Sequence, residues 1–319
     1  METRRIGNSG LEVTELALGS WLTFGSAVDV PESTKVIESA YDLGISFFDT
    51  ADVYATGAAE EVLGQTLRNI PRHHLVIATK CFFAMSDRPN DKGLSRKHVF
   101  ESVHGSLKRL GTDYIDIHQC HRYDSDTPVS ETVRAYDDLI RMGKVLYWGV
   151  SEWSAAQIQE ACDAADAIGA PRPISNQPNY SIMRRGIEDG VLPTSKSLGL
   201  GQIVFSPLAQ GVLTGKYCGG AMPSGSRATD QKHGRFMGRY LEAAELAKVE
   251  SLIPVADGLG ISMSQLALAW CLRDRGTDAH ACAAKCGSTF GGNTFFGTKQ
   301  QFDDHHRARQ RTQVAEYLK

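Results

Sequence analysis

Residues 145–176 contain a complete strand–helix–strand unit. They begin with Val145-Leu-Tyr-Trp-Gly-Val150, a run of β-branched and aromatic residues, and they end with Ile174-Ser-Asn176. Between these runs, Ser154-Ala-Ala-Gln157 is typical of a capping box at a helix start. Apolar residues then recur at the spacing of one helix face, at positions 158, 161, 162, 165 and 168. A strand, a helix and a strand in this order predict a parallel sheet covered by helices.

The same alternation continues in both directions along the chain. Positions 99, 103, 107 and 110 form a second apolar stripe, and a third lies within 263–271 after the capping box Ser262-Met-Ser-Gln265. Seven strands and an eighth near 279–284 predict a (β/α)8 barrel of the α/β class. Gly7-Asn-Ser-Gly10, between 4–6 and 13–15, predicts an N-terminal β-hairpin at the barrel bottom. The seven predicted strands are 16–18, 47–49, 75–80, 114–118, 145–150, 174–176 and 202–206.

Length and composition suit one barrel domain that spans residues 1–319. Hydrophobic residues make up 42% of the chain, so a large core can form. The net charge of −3 gives no electrostatic reason to expect nucleic acid or an anionic membrane as a partner. The N-terminus lacks an apolar signal region and the seven cysteines are scattered, which predicts a cytoplasmic protein without membrane insertion. We expect a small-molecule partner, and a homo-oligomer is compatible with the sequence.

Four polar residues lie at or just after the predicted strand ends, where barrel enzymes carry their reactive groups. Asp49 and Lys80 end two strands, Tyr54 follows the first of these, and His121 follows the strand at 114–118. Each residue alone has an ordinary structural explanation, such as a helix cap or a packed loop aromatic. Together the four residue types can form a proton-donating catalytic site. A lysine favours the phenolate of a nearby tyrosine, an aspartate keeps the lysine charged, and a histidine donates to a carbonyl oxygen.

These residues and several longer motifs resemble the aldo-keto reductase family, whose signature is an Asp-Tyr-Lys-His tetrad at successive strand ends. The motifs include Phe48-Asp-Thr-Ala-Asp-Val-Tyr54 and Ser206-Pro-Leu-Ala-Gln-Gly-Val-Leu-Thr-Gly-Lys-Tyr217. The loop after Lys80 and the run Gly93-Leu-Ser-Arg-Lys-His98 are similar to the branch of voltage-gated potassium-channel β-subunits and their bacterial relatives. The resemblance covers residues 1–275 approximately. It implies an NADP-dependent oxidoreductase that reduces a carbonyl substrate.

The resemblance also implies roles for single residues. Asp49, Tyr54, Lys80 and His121 would be catalytic, with Tyr54 as the general acid in reduction of an aldehyde or ketone. NADPH, leaving as NADP+, would lie across the barrel mouth with its nicotinamide ring on Phe205. The residues that would hold the nicotinamide carboxamide are Ser151, Asn176 and Gln177. Those that would hold the phosphates are Ser206, Leu208, Gln210, Gly211, Lys216 and Arg227. The predicted substrate-side residues are Trp21, Phe82 and Trp153, together with Phe83 and a loop at 218–238 that we expect to be mobile.

Other functions use the same residues differently. One alternative is a cofactor-binding regulatory subunit of a membrane channel or another partner, with little turnover. In the family, such subunits typically carry Asn at the position of His121, so this residue favours an active reductase. Another is a metal-dependent hydrolase built on Asp49 or Asp52, but these carboxylates lack clustered histidine partners. Gly211-Val-Leu-Thr-Gly-Lys216 has one residue too few between its glycines for a P-loop.

The C-terminal segment departs from the family pattern after Arg275. Residues 276–297 are rich in Gly, Ala and Thr, where family members have a β-branched strand and a helix that holds the adenosine 2′-phosphate. We therefore predict an atypical tail that is mobile after residue 276. Weak cofactor affinity and little preference for NADPH over NADH should follow, unless Lys285 or Ser288 rebuilds the phosphate site.

Overall fold

A computed structural model of the chain describes residues 1–26, 28–231 and 234–273, together with the backbone of Ala279–Ala281. The hairpin consists of β1 (Thr3–Arg5) and β2 (Glu12–Thr14). Eight further strands form one parallel sheet in which every strand pairs with the next one in sequence, as in a (β/α)8 barrel. They are β3 (Ala17–Gly19), β4 (Phe47–Asp49), β5 (Val76–Cys81), β6 (Ile115–Cys120), β7 (Val145–Ser151), β8 (Ser175–Gln177), β9 (Gly201–Val204) and β10 (Ala279–Ala281).

The predicted strands are confirmed, with the bounds of the first seven shifted by two residues at most. The predicted eighth strand overlaps β10, and its remaining residues lie outside the described part of the chain, as do Lys285, Ser288 and the tail. The helices are α1 (Val30–Asp42), α2 (Ala58–Leu67), α3 (Arg96–Leu110), α4 (Val129–Arg141), α5 (Ala155–Ala167), α6 (Val191–Leu198), α7 (Ala243–Glu250), α8 (Ile253–Leu259) and α9 (Met263–Cys271).

Local sequence sets the starts of two of these helices. At α5 the Ser154 side chain accepts from the backbone N–H of Gln157, and the Gln157 side chain accepts from the backbone N–H of Ser154. Ser262 and Gln265 form the same reciprocal pair at α9. Both predicted capping boxes are therefore confirmed, and each satisfies two N–H groups that a helix start leaves unpaired.

The N-terminal hairpin closes one end of the barrel. Gly7 has a φ of +53°, and a Cβ atom there would lie 2.2 Å from the carbonyl oxygen of Gly199. Only glycine permits this close approach, and the backbone N–H of Asn8 donates to the same oxygen at 2.9 Å. Ile6 and Val13 bring apolar side chains of the hairpin onto the barrel interior. The interior residues packed with them are Ala17, Phe47, Val76, Ala78, Ile117 and Ile203.

Alternation along each strand separates the barrel interior from the outer face under the helices. On β5, Val76 and Ala78 belong to the interior cluster, whereas Ile77 and Cys81 pack among helix residues. Side chains two positions apart point the same way in a strand. Lys80 therefore continues the interior row and points toward the carboxyl end of the barrel.

The segment 218–238, expected to be a mobile loop, contains a series of short 3₁₀ turns in its described residues. Met237 within this segment and Tyr217 directly before it are buried in an apolar cluster with residues of α7 and α9. Among the helices of the described chain, no single one has the length and apolar composition for a bilayer span. The segments Ala243–Leu259 and Met263–Cys271 meet those limits only as a pair with a 92° bend between them.

Candidate active site

A cavity of about 500 Å³ opens where the parallel strands end. Asp49, Tyr54 and His121 line it, and they come from β4, the turn after β4 and the residue after β6. Lys80, on β5, lies directly behind Asp49. The fold thus brings the four predicted catalytic residues together from segments that span more than seventy positions of sequence.

Lys80 and Asp49 form a buried ion pair. Lys80 Nζ donates to Asp49 Oδ2 at 2.6 Å and to the carbonyl oxygen of Thr50 at 2.7 Å. The side chain of Lys80 is 0% exposed and that of Asp49 is 4% exposed. A buried ammonium is stable only when it is paired and hydrogen-bonded, and these contacts meet that need. The ammonium lies 5.2 Å from the centroid of the Tyr54 ring.

Tyr54 begins a short and conformationally strained turn. Ala55 and Thr56 have φ values of 49° and 52°, and Gly57 follows at 93°. L-residues seldom adopt this left-handed conformation, and each such residue costs about 1–2 kcal/mol. A Cβ atom on Gly57 would lie 2.7 Å from Arg109 Cδ, so glycine is required there for space as well. Packing of the surrounding structure therefore holds the tyrosine in place.

His121 packs against Tyr54 at the cavity. The two rings meet edge to face with centroids 5.7 Å apart, and the His121 ring also contacts Phe83, with centroids 4.9 Å apart. Burial, aided by the charges of Lys80 and Arg122, lowers the pKa of His121 well below its usual value. The imidazole is consequently neutral at physiological pH, and a neutral ring can donate one N–H to a bound carbonyl oxygen.

The predicted carboxamide residues separate into two groups. Ser151 and Gln177 line the cavity, where Ser151 Oγ donates to the Gln177 carbonyl oxygen at 2.8 Å. The Gln177 side chain donates to Asp49 Oδ1 at 2.8 Å. Asn176 is buried on the opposite face of β8, and its amide contacts Gln202. The structure therefore does not bring Asn176 to the cavity.

Phe205 and Ser206 also line the cavity, directly after β9. The loop that follows is strained, since Ser206, Ala209 and Gln210 have φ values of 57°, 46° and 61°. Gly211 follows at 99°, and Leu208 packs into the apolar cluster beneath the loop. Gln210 Nε2 donates to Ser206 Oγ at 2.8 Å. The predicted phosphate loop thus has a left-handed backbone at several positions, and a side-chain hydrogen bond and apolar packing support it next to the cavity.

Two cations accompany this loop. Arg227 is 6% exposed and donates to Gln210 Oε1, and its burial lowers the pKa of the guanidinium from its ordinary value. No carboxylate forms an ion pair with it in the described structure. Lys216 lies near Gly211, because a Cβ atom on that glycine would be 3.8 Å from Lys216 Nζ. Asp230 acts on the charge of Arg227 but forms no close ion pair with it, and a buried guanidinium without a close counter-ion fits a ligand that supplies phosphate oxygens.

The donor set around the cavity fits a nicotinamide dinucleotide. Gln177 and Ser151 offer an amide and a hydroxyl, the Phe205 ring offers a flat face, and the strained loop with Arg227 offers donors for phosphate. Strain is concentrated here. The positive-φ residues other than glycine in the described chain all follow the carboxyl ends of β3, β4, β7 or β9. They are Leu22, Ala55, Thr56, Glu152, Ser206, Ala209 and Gln210.

The predicted substrate-side residues are only partly at the cavity. Trp21 lines it, with its ring centroid 6.5 Å from that of Tyr54. Trp153 is 2% exposed and packs edge to face on Tyr123, away from the opening. Phe82 packs against the outer core, and Phe83 lines the cavity.

Sequence reasoning did not identify Arg122, and it included Arg235 and Phe236 only within the 218–238 loop. All three line the cavity. The position of Arg122, directly after His121 at a strand end, was an available signal. Arg235 and Phe236 lie in a segment without periodicity, which gave no signal for individual residues.

A second buried polar group lies beneath the Tyr54 turn. Asp52 is 0% exposed and accepts from Ser102 Oγ of α3 at 2.7 Å, while its backbone N–H donates to the Lys80 carbonyl oxygen at 3.1 Å. Burial raises the pKa of Asp52 to about 7. Nearby, Glu60 pairs with Arg109 at 2.6 Å. These contacts connect the turn that carries Tyr54 to α2 and α3.

Comparison with known proteins identifies the family of this chain. The model of the Aldo/keto reductase family matches residues 15–286, which extends beyond residue 275. A probable voltage-gated potassium channel subunit beta of Oryza sativa subsp. japonica is 46% identical over 274 residues, covering 85% of this chain and 83% of that protein. One of Arabidopsis thaliana is 47% identical with the same coverage. A putative one of Schizosaccharomyces pombe is 41% identical over 280 residues, covering 85% and 80%.

Proposed function

Because the chain belongs to the aldo/keto reductase family and is an oxidoreductase, we propose that it reduces an aldehyde or ketone to the alcohol with NADPH. The observation that carries this proposal is the buried Lys80–Asp49 pair next to Tyr54, with the His121 ring in edge-to-face contact with Tyr54. A tyrosine, a lysine and a neutral histidine around one cavity suit proton donation to a carbonyl oxygen. The cavity volume of about 500 Å³ suits a small molecule beside a nicotinamide ring.

Tyr54 is the proposed general acid. When bound, the reduced nicotinamide supplies the hydride that reduces the carbonyl carbon. The Tyr54 hydroxyl gives its proton to the oxygen, on which negative charge develops. The neighbouring Lys80 ammonium favours the resulting phenolate, and Asp49 keeps that ammonium charged. His121 donates an N–H to the same oxygen and so orients the carbonyl.

We assign cofactor-binding roles to other residues at the same cavity. Gln177 and Ser151 would hold the carboxamide, Phe205 would support the ring, and the loop after Ser206 with Arg227 would hold phosphate. Asp49 accepts from Gln177 and Lys80 on its two carboxylate oxygens, so it couples the carboxamide residue to the acid. Water is excluded from this pair because both side chains are buried.

The test uses the full-length chain. NADPH oxidation is followed with a panel of aldehydes, and NADPH binding is followed by protein fluorescence. Tyr54→Phe should reduce turnover by at least about 100-fold, since general acid catalysis of this kind contributes that much, while the Kd for NADPH changes by less than about threefold. Wild-type turnover in Tyr54→Phe would overturn the role of the tyrosine. Tight NADPH binding without turnover of any aldehyde would favour the regulatory-subunit alternative.

A further inference from the structure

Two chains of ring contacts lead away from Tyr54 along the cavity walls. In one, Tyr54 contacts His121 and His121 contacts Phe83, with centroids 5.7 and 4.9 Å apart. The guanidinium carbon of Arg122 then lies 5.5 Å from the Phe83 centroid. A single ring therefore separates the histidine that would hold the carbonyl from a positive charge.

The second chain of contacts starts with Trp21. Trp21 lies 6.5 Å from Tyr54 and 5.4 Å from Phe236, measured between ring centroids. The guanidinium carbon of Arg235 lies 4.9 Å from the Phe236 centroid. Both chains thus begin at the proposed acid, pass over aromatic faces and end at an arginine that lines the cavity.

No carboxylate among the described residues forms an ion pair with these arginines. Arg122 donates to the carbonyl oxygen of His121, which fixes its position but leaves its charge uncompensated. Neither Arg122 nor Arg235 has a carboxylate partner in the described structure. Asp49 is the acidic residue of the cavity lining, and Lys80 already neutralises it. The cavity lining therefore presents two arginine charges that no described carboxylate pairs, together with the aromatic rings of Trp21, Phe83 and Phe236.

We infer that this cavity selects carbonyl compounds that also carry a carboxylate, held by Arg122 about one aromatic ring away from the reacting carbonyl. The inference rests on the proposed function, since the carbonyl must meet Tyr54 and His121. A planar guanidinium binds a carboxylate through two parallel N–H donors, and stacking on Phe83 orients that fork. Trp21, Phe83 and Phe236 would cover the apolar body of the substrate.

Arg122 is preferred over Arg235 as the carboxylate-binding residue for a positional reason. Arg122 follows His121 in the chain and stands on the wall that carries the proposed carbonyl contact. Arg235 belongs to the same stretch as Arg227, beside the proposed phosphate loop. A charge there can serve a phosphate of the cofactor.

The experiment compares two aldehydes of nearly equal shape, 4-formylbenzoate and its neutral methyl ester. For the wild-type chain, kcat/KM should be higher for the acid by about tenfold or more, the size of a charge-assisted contact. Arg122→Gln should bring the acid-to-ester ratio close to one, and Arg122→Lys should retain part of the preference. Arg5→Gln removes the same charge at the hairpin end of the barrel, and the wild-type ratio should persist in that control.

A second measurement is independent of turnover. Calorimetric titration of the NADP+ complex with benzoate and with benzamide should show tighter binding of benzoate, and Arg122→Gln should abolish the difference. An acid-to-ester ratio near one in the wild type would overturn the inference and leave the reductase proposal intact. Weaker NADPH binding in Arg122→Gln with an unchanged ratio would also overturn it, because the arginine would then serve the cofactor. An Arg122-dependent benzoate preference without reduction of either aldehyde would show that Arg122 binds a carboxylate but would contradict the proposed function, and with it the selection of carbonyl substrates.

Discussion

The side-chain amide of Gln177 donates to Asp49 Oδ1 at 2.8 Å, although the two residues are 128 positions apart in sequence. Asp49 ends β4 and Gln177 ends β8, so the contact crosses the mouth of the barrel. The other oxygen of Asp49 accepts from Lys80. One carboxylate therefore joins the proposed cofactor residue to the proposed catalytic lysine.

Asp49→Asn should be strongly destabilising, because it leaves the buried Lys80 ammonium without a counter-charge. We expect the free energy of unfolding to fall by about 3–5 kcal/mol and aldehyde reduction to be nearly lost. Urea denaturation of both proteins gives the first quantity. Glu101→Gln removes one partner of the exposed Lys97–Glu101 pair and should leave stability almost unchanged. Equal stabilities of Asp49→Asn and the wild type would contradict the assigned pair.

Asp52 should make stability depend on pH. Burial raises its pKa to about 7 in the folded protein, whereas the unfolded chain has the ordinary value of 3.8. Between these values the unfolded state is ionised and the folded state holds the proton, so stability falls as pH rises. Above a pH of about 7 both states are ionised and this contribution becomes constant.

Asp52→Asn keeps an oxygen that accepts from Ser102 and removes the titration. The wild type should lose stability relative to this variant by up to about 1.4 kcal/mol per pH unit between about pH 4 and pH 7. Unfolding by urea at several pH values measures the difference. Burial lowers the pKa of His121 and also that of His118 on β6, but both histidines are present in the two proteins, so their effects cancel in the comparison. Parallel stability profiles would show that Asp52 is ionised in the fold.

Gly57→Ala should be more costly than the same change at Gly111. Both glycines have positive φ, at 93° and 66°, but a Cβ atom on Gly57 meets Arg109 whereas one on Gly111 meets open space. We expect Gly111→Ala to cost about 1–2 kcal/mol from backbone strain alone. Gly57→Ala should exceed this value in thermal unfolding and should also lower turnover, because the turn carries Tyr54. Similar costs for the two variants would mean that Arg109 moves aside freely.

Phe205→Ala and Phe83→Ala should affect different ligands. Removing the Phe205 ring should weaken NADPH binding by about 0.5–1.5 kcal/mol, the contribution of an aromatic contact. Removing the Phe83 ring should raise the KM for aromatic aldehydes more than it changes the Kd for NADPH. Fluorescence titration and steady-state kinetics separate the two effects. Loss of NADPH affinity in Phe83→Ala alone would reverse the assignment of the two cavity walls.

From the sequence, Asp49, Tyr54, Lys80 and His121 were predicted to lie together because the parallel strands of a barrel all end at one rim, and the structure brings these four residues together. The sequence could not decide between neighbours at that rim. Asn176 and Gln177 are adjacent and chemically similar, yet only Gln177 shares the interior face with Asp49. Phe82 and Phe83 differ in the same way after β5. In both cases tertiary packing determines which of the two adjacent side chains points into the cavity.

Arg122 and Arg235 show a different limit of sequence reasoning. Their importance comes from the absence of a nearby carboxylate among the described residues, and that property exists only in three dimensions. The backbone strain in the turn after Tyr54 was also not predictable from sequence, because alanine and threonine are residue types that rarely adopt the positive φ found at Ala55 and Thr56.

The contact of Gly7 with Gly199 also bears on the order in which the molecule is made. Each parallel strand pairs with its predecessor, so a growing chain can add one strand–helix unit at a time as it leaves the ribosome. The hairpin is synthesised before the backbone on which it rests, which appears only with residues 199–201. The guanidinium of Arg4 donates to the carbonyl oxygen of Leu272 at 3.0 Å, and this partner is synthesised later still. The contacts that attach the hairpin to the rest of the barrel therefore form only after most of the barrel has been made.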